Sequence, residues 1–200
     1  MRKITGVLGV FCLLLFSSCA TRVDRVDPGT QIDLSGYWND TDVRIVCEAL
    51  IYDFLNSPRA AGAITVMGER LPVVLVGSFR NESSEHIDTG IISSIMEVTI
   101  FNSGKMDFVA GGRVRDELRA ERQDQQLHAN PATVSALASE TGADFLLTGT
   151  VRTIIDRERR TTVRTYFVTA EMTDIETNSR IWMAQNSDIK KVVVQRRFRP

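Results

Sequence analysis

The chain has 200 residues, of which 43% are hydrophobic and 24% charged, and a formal net charge of −1. That is enough chain for one domain with a real core, and the near-neutral balance excludes a global field drawing it to nucleic acid or anionic lipid. Three cysteines and two histidines leave little material for disulfide or metal chemistry.

The first element is a leader. Arg2 and Lys3 precede an apolar run from Ile4 to Phe16, too short for a transmembrane helix, which needs about 20 apolar residues. Leu15-Phe16-Ser17-Ser18-Cys19 ends that run with two small residues before a cysteine, the closing pattern of a bacterial lipoprotein signal. The expectation is removal of residues 1–18 and acylation of Cys19, first on its thiol and then on the new amine. Several acyl chains hold firmly, at roughly 0.8 kcal/mol per buried CH₂. The plain alternative is a secretory signal that happens to contain a cysteine. Cleavage would remove Cys12 and lipidation would occupy Cys19, leaving Cys47 without an intramolecular partner. Losing Arg2 and Lys3 would also lower the net charge by two. Residues 19–33, with Pro28 and Gly29 and no periodicity, are expected to form a short flexible tether. Fully stretched it reaches about 50 Å, at ~3.5 Å per residue.

The rest, 34–200, is expected to be a single globular domain. Val43, Val46, Cys47, Leu50 and Phe54 recur at helical spacing, with Asn39, Asp40 or Thr41 to cap the start and Asn56-Ser57-Pro58 to stop it. Cys47 lies on the apolar stripe and reads as a small buried hydrophobe. A loop through Gly62 and Gly68 leads to Pro72–Phe79, an unbroken β-branched run suited to a central strand covered on both faces. Polar residues Arg80 to Glu85 make a loop. A second helix follows, with Ile87, Ile91, Ile95 and Val98 inward and Gly104 as its C-terminal cap. Met106–Ala110 reads as a short strand.

Gly112 to Leu127 predicts a charged, largely solvated helix with Val114 and Leu118 as its apolar positions. Asn130-Pro131 starts another, carrying Val134, Leu137 and Ala138 and ending at Gly142. Three strands close the chain: Ala143–Ile155 with Phe145, Leu147 and Val151 in step, Thr161–Ile175, and Arg180–Ala184. Asp156–Arg160 and Glu176-Thr177-Asn178-Ser179 turn between them. Alternating elements followed by a meander predict an α/β (α+β) fold, a mixed sheet flanked by helices, rather than a doubly wound parallel one.

Catalytic chemistry is scarce. His86 and His128 stand apart, with no cysteine nearby, so no metal site is expected. Ser187-Asp188-Ile189-Lys190 matches S-x-x-K, but that motif needs serine and lysine one helical turn apart, and the flanking sequence reads as strand. Neither G-x-S-x-G nor a phosphate-binding glycine loop is present. Gly111-Gly112 could cradle an anion at a helix start, or simply let a strand turn. No catalytic, cofactor or metal residues are assigned. Two charged features remain as candidates for a partner. The tail from Lys190 to Pro200 holds Lys190, Lys191, Arg196, Arg197 and Arg199 with no acid; it could touch an acidic surface or be a solvated terminus. The loop Arg80, Asn81, Glu82, Ser83 follows the central strand, where α/β proteins keep functional loops, although its polar residues could equally cap the next helix.

Several segments together resemble one family. Asp33-Leu34-Ser35-Gly36-Tyr37-Trp38-Asn39-Asp40, the run Pro72 to His86, Asn102-Ser103-Gly104-Lys105 with Phe108-Val109, Glu140-Thr141-Gly142-Ala143-Asp144 and Gly149-Thr150 are similar to the LpoB family of penicillin-binding protein activators. The resemblance spans roughly Asp33 to Val193. It implies a non-catalytic lipoprotein in the outer membrane, facing the periplasm, that binds a bifunctional penicillin-binding protein and favours its active state. It also implies a fold similar to the N-terminal domain of TolB. One departure stands out: enterobacterial members carry a long Pro-rich linker, and this chain has only its short tether. Ala20 follows the lipidated cysteine where a retention signal would place Asp, so outer-membrane sorting is the expectation. The alternative reading is a component of an envelope assembly or secretion complex. Partner identity and oligomeric state are left open by the residues.

Overall fold

One side chain decides where the first helix begins. Asn39 Oδ1 accepts from the Asp42 N–H (3.1 Å), while Asp42 Oδ2 accepts from the Asn39 N–H (2.9 Å). This reciprocal capping box satisfies two backbone donors at once. Helix α1 runs Asp40–Asn56 and buries Val43, Val46, Cys47, Leu50 and Phe54, the stripe expected from the spacing. Burial pushes the Cys47 thiol up to about 11, with Glu48 adding to the shift, so it stays protonated and packs as an apolar group. The computed structural model describes residues 23–111, 114–120 and 142–195. Two units are distinguished, divided after Gln31. In the first, residues 23–31 hold one turn, in which the Thr30 N–H donates to Asp27 O.

Ser57-Pro58 both stops α1 and starts a second helix. Ser57 Oγ accepts from the Ala60 N–H (3.3 Å) and Pro58 takes the first helical position, where its missing donor costs nothing. The loop expected through Gly62 is therefore helix α2, Pro58–Val66. Strand β1, Val73–Asn81, leads to helix α3, Thr89–Asn102, and strand β2, Asp107–Val109. Gly104 follows α3 with φ +68° and donates to Phe101 O (3.0 Å), as expected of a left-handed cap.

The inward face of α3 differs from expectation. Ile87 is buried, but Ile92, Met96 and Ile100 carry the core contact, while Ile91 (49%), Ile95 (36%) and Val98 (57%) are exposed. The helix carries large apolar residues on more than one side, so spacing alone offers two stripes. The one that packs is fixed by contact with α1 and β1.

Residues 114–120 are helical and mostly exposed, Val114 and Leu118 among them. The remainder of the expected charged helix, the helix after Asn130-Pro131 with Val134, Leu137 and Ala138, His128, Gly112 and the whole leader with Cys19 lie outside the described residues. Strands β3 (Phe145–Glu158), β4 (Thr161–Asp174) and β5 (Arg180–Asn186) form the expected antiparallel meander. The turns use Arg159 (φ +51°) and Asn178 (φ +58°). Where the sequence suggested a solvated tail, Lys190–Val194 forms a further strand, β6, antiparallel to β4.

Sheet order is β2-β1-β3-β4-β5, with β6 on β4 beyond the end of β5. β1 pairs parallel with β2 and β3; the rest is antiparallel, so the sheet is mixed as expected. Among the described residues the three helices pack against one face, α3 on β1 and α1 and α2 on β5. Val74, Phe145, Leu147, Val151, Tyr166, Val168 and Met172 meet them there. The expectation that both faces of β1 are covered fails at its C-terminal half, where Ser78 and Arg80 are exposed.

Candidate functional site

A bulge decides which way β1 points its polar end. The β1–β3 register runs Val74 with Phe145 and Val76 with Leu147, then slips so that Phe79 pairs with Gly149 and Arg80 with Thr150. A one-residue slip exchanges the faces of every later side chain. Phe79 therefore turns into the core, its ring lying against Gly149 where a Cβ would collide. Arg80 turns to the opposite, open face.

On that face the strands present a shallow basin of about 340 Å³. Ser78, Thr148, Thr150 and Thr169 supply hydroxyls, and Arg80, Arg152 and Arg180 supply cations. Glu82 Oε2 pairs with Arg152 Nε at 2.7 Å, and its Oε1 lies 3.4 Å from Arg80. Glu171 pairs with Arg180 at 2.7 Å. All three arginines are about two-thirds exposed, with three cations facing two carboxylates. The hydrogen bond from Arg152 holds the Glu82 carboxyl below its usual range. A carboxylate kept ionised in this way makes a poor general acid near neutrality. The arrangement suits recognition of an acidic, hydrogen-bonding surface.

The loop residues expected to bind a partner divide between two roles. Arg80 lines the basin, and Glu82 pairs with it and with Arg152. Asn81 and Ser83 instead build the loop: Asn81 Oδ1 accepts from the Ser83 N–H (3.0 Å) and hydroxyl (2.6 Å), and Asn81 Nδ2 donates to Glu85 O (2.7 Å). Thr89 ties the next helix back by donating to Phe79 O. Arg152, Glu171 and Arg180 escaped notice in the sequence, although strand alternation carried the signal. Arg152 follows buried Val151 and so shares the face of Thr148 and Thr150.

On the other face, the same loop is fastened by a buried ion pair. Glu85 Oε1 lies 3.1 Å from Arg164 Nε, each side chain 7% exposed. Tyr166 donates its hydroxyl to Glu85 Oε2 (2.7 Å), which burial first and Glu85 second push well above the usual phenol range. Arg164 stacks over Tyr37 at 4.2 Å, and Trp38 packs tilted against Tyr166. Lys191 completes the clamp on this segment with contacts to Asp33 Oδ1 and Asp42 Oδ2, both 2.7 Å, and to Tyr37 O (2.9 Å). The segment Asp33–Asn39, one of the runs that carry the family resemblance, is thus bound to β4 and β6.

His86 is exposed in the loop. Residues 187–189 of the S-x-x-K run connect β5 to β6 without a helix. Among the described residues no group of three or more His, Cys, Asp or Glu side chains could hold a metal. Nor is any helix there long and apolar enough to cross a membrane.

Comparison with known proteins gives the following. The family described as peptidoglycan-synthase activator LpoB matches residues 42–187. No curated protein matches. The LpoB C-terminal domain from Escherichia coli is similar at 17% identity, covering 77% of this chain and 99% of that one, with a TM-score of 0.44. The corresponding Salmonella enterica domain is 16% identical with the same coverage and a TM-score of 0.42. Lipoprotein GNA1162 from Neisseria meningitidis is 17% identical over 62% of this chain and 84% of that one, TM-score 0.35. Because the family match runs from the first turn of α1 to just past β5, the chain belongs to the LpoB family of peptidoglycan-synthase activators.

Proposed function

We propose that this chain is a non-catalytic, lipid-anchored activator that binds a bifunctional penicillin-binding protein from the periplasmic side of the outer membrane. The observation that carries the reading is the family match across residues 42–187. In this reading the partner docks on the open face, where Arg80, Arg152 and Arg180 line the basin, Glu82 pairs with the first two, and Asn81 and Ser83 hold the loop in shape. An acidic partner surface would meet the excess cation there, and such charge complementarity favours fast encounter and correct register. Activation is then a population shift. The chain binds the working conformation of the synthase more tightly than the resting one, by about 1–3 kcal/mol.

Cys19 would carry the anchor; because Lys191 holds Asp33, only residues 20–31 of the expected 19–33 tether would set how far the domain travels from the membrane. At ~3.5 Å per residue that reach is only some 40 Å, so the partner must present its docking site close to the anchoring leaflet. Two measurements test this function. Metabolic labelling with a fatty-acid analogue should tag the mature chain and fail to tag a Cys19→Ala variant. Crosslinking in intact cells should join the domain to a glycosyltransferase–transpeptidase; capture instead of a ring of identical subunits would replace the activator reading with an assembly complex.

A further inference from the structure

We propose that the open face carries an apolar docking patch beside the arginine basin, on which the partner protein seats a hydrophobic centre edged with acidic residues. The inference rests on the activator reading and adds to it the surface that holds the complex together. Phe145, Leu147 and Val151 of β3 and Tyr166, Val168 and Met172 of β4 point into the core. By alternation, even-numbered side chains of β3 and odd-numbered ones of β4 share the open face. There Arg152 stands opposite Phe167, Ile154 opposite Thr165 and Asp156 opposite Val163. On the other side of β4, Val192 stands opposite Val163 and Val194 opposite Thr161.

Opposite side chains in a sheet have Cβ atoms about 5 Å apart, and diagonal ones about 7–8 Å. Phe167, Ile154, Val163, Val192 and Val194 therefore join into one surface that crosses three strands. Ile154 and Val194 are each 62% exposed and Val192 is 60% exposed, while Val163 and Phe167 are partly covered. Single apolar residues on a surface need no explanation, but uncovered aliphatic side chains joined in this way mark a place where something binds. The patch is also rigid from behind. Val193 lies over Gly36, and Lys191 is locked between Asp33 and Asp42. A surface so fixed loses little freedom when a partner settles on it.

The charges at its border say what covers the patch. Arg152 flanks it at Phe167, and Lys190 is exposed opposite Thr165, in the same row as Ile154. Past Arg152 the basin adds Arg80 and Arg180. A surface with an apolar centre and carboxylates at its edge matches patch and basin together. Asp156, exposed opposite Val163, stands within the patch. A protein can meet that carboxylate with a hydrogen-bond donor, whereas the interior of a bilayer cannot. A second copy of this chain would bring the same cations to the contact. The occupant is thus the partner protein, and the two halves divide its binding: the arginines speed encounter, and the patch slows departure.

The test measures binding kinetics between the full chain and a purified bifunctional synthase. An Ile154→Thr, Val192→Thr double variant keeps a β-branched side chain at both positions and removes only apolar surface. It should keep the melting temperature and the association rate, yet leave the complex about tenfold faster. An Arg152→Glu, Arg180→Glu double variant should instead associate about tenfold more slowly and lose the salt dependence of association. Equal dissociation of the Ile154→Thr, Val192→Thr variant and the unmodified chain would overturn the patch and leave the activator reading standing. Failure of the unmodified chain to bind the synthase would overturn both. A photoreactive side chain in place of Ile154 should join the chain to the synthase in cells. Capture there of a second copy, or of lipid, would also overturn the proposal.

Discussion

Two ion pairs three residues apart show the same chemistry at two depths. Glu85–Arg164 sits under the sheet's helix-covered face, ringed by Tyr37, Trp38 and Tyr166. Glu82–Arg152 lies on the open face with Arg152 about two-thirds exposed. Water weakens the outer pair and leaves its groups available to exchange partners. The inner pair has no such freedom, and its loss would strand a charge in a dry site. One loop therefore carries a buried lock on one side and an exposed, exchangeable pair on the other.

The largest expected effect breaks the lock. Glu85→Ala should cost about 3–5 kcal/mol, the usual result of orphaning a buried charge, seen as a large fall in denaturation midpoint. Replacing Arg164 with Met in the same background should recover part of that loss. A small effect from Glu85→Ala alone would mean that the inner pair behaves like the outer one. The next effect concerns α3. Ile92→Ala should cost about 2–5 kcal/mol through the cavity it leaves, whereas Ile95→Ala on the exposed side should stay within about 0.5 kcal/mol. Equal costs would reverse the packing face assigned to this helix.

A smaller effect is acid-dependent. Asp144 accepts both arms of Arg70 at 2.7 Å and the Val73 N–H at 2.8 Å, tying the start of β1 to that of β3. The Arg70 hydrogen bond is the main reason its carboxyl is held below the usual range, with the Val73 N–H adding to it. A depressed acid stabilises the fold above its unfolded value, about 3.9, and that contribution disappears as pH falls through the lower folded value. Acid titration of stability should therefore show a limb below about pH 4 that Asp144→Asn flattens; the same limb in the variant would assign it to other carboxylates. Smallest of all, Glu82→Ala and Arg152→Ala should each leave the denaturation midpoint almost unchanged, which separates the exposed pair from the buried one.

How much of this the residues announce depends on the range of the contact. The α1 stripe, the Asn39 cap, the Gly104 cap and the closing meander are local patterns, and all are visible in the sequence. The packing face of α3 is not, because Ile91, Ile95 and Val98 form as plausible a stripe as Ile92, Met96 and Ile100. β6 is hidden for a different reason. Lys190 and Lys191 read as a solvated tail until Asp33 and Asp42, far earlier in the chain, are seen to hold Lys191. Half of the open-face cluster is legible: the polarity of the loop after β1 marks Arg80 and Glu82. Their companions Arg152 and Arg180 join them only through strand pairing across the sheet, which no single segment encodes.

The open face is the centre of the functional account, and glycan polymerisation tests it most directly. A purified bifunctional synthase should polymerise lipid-linked precursor faster when the unmodified chain is added. An Arg152→Glu, Arg180→Glu double variant with an unchanged melting temperature should lose that stimulation by about tenfold or more, as expected for reversing charges at a complementary interface. Full stimulation by the folded double variant would contradict the assignment of this face.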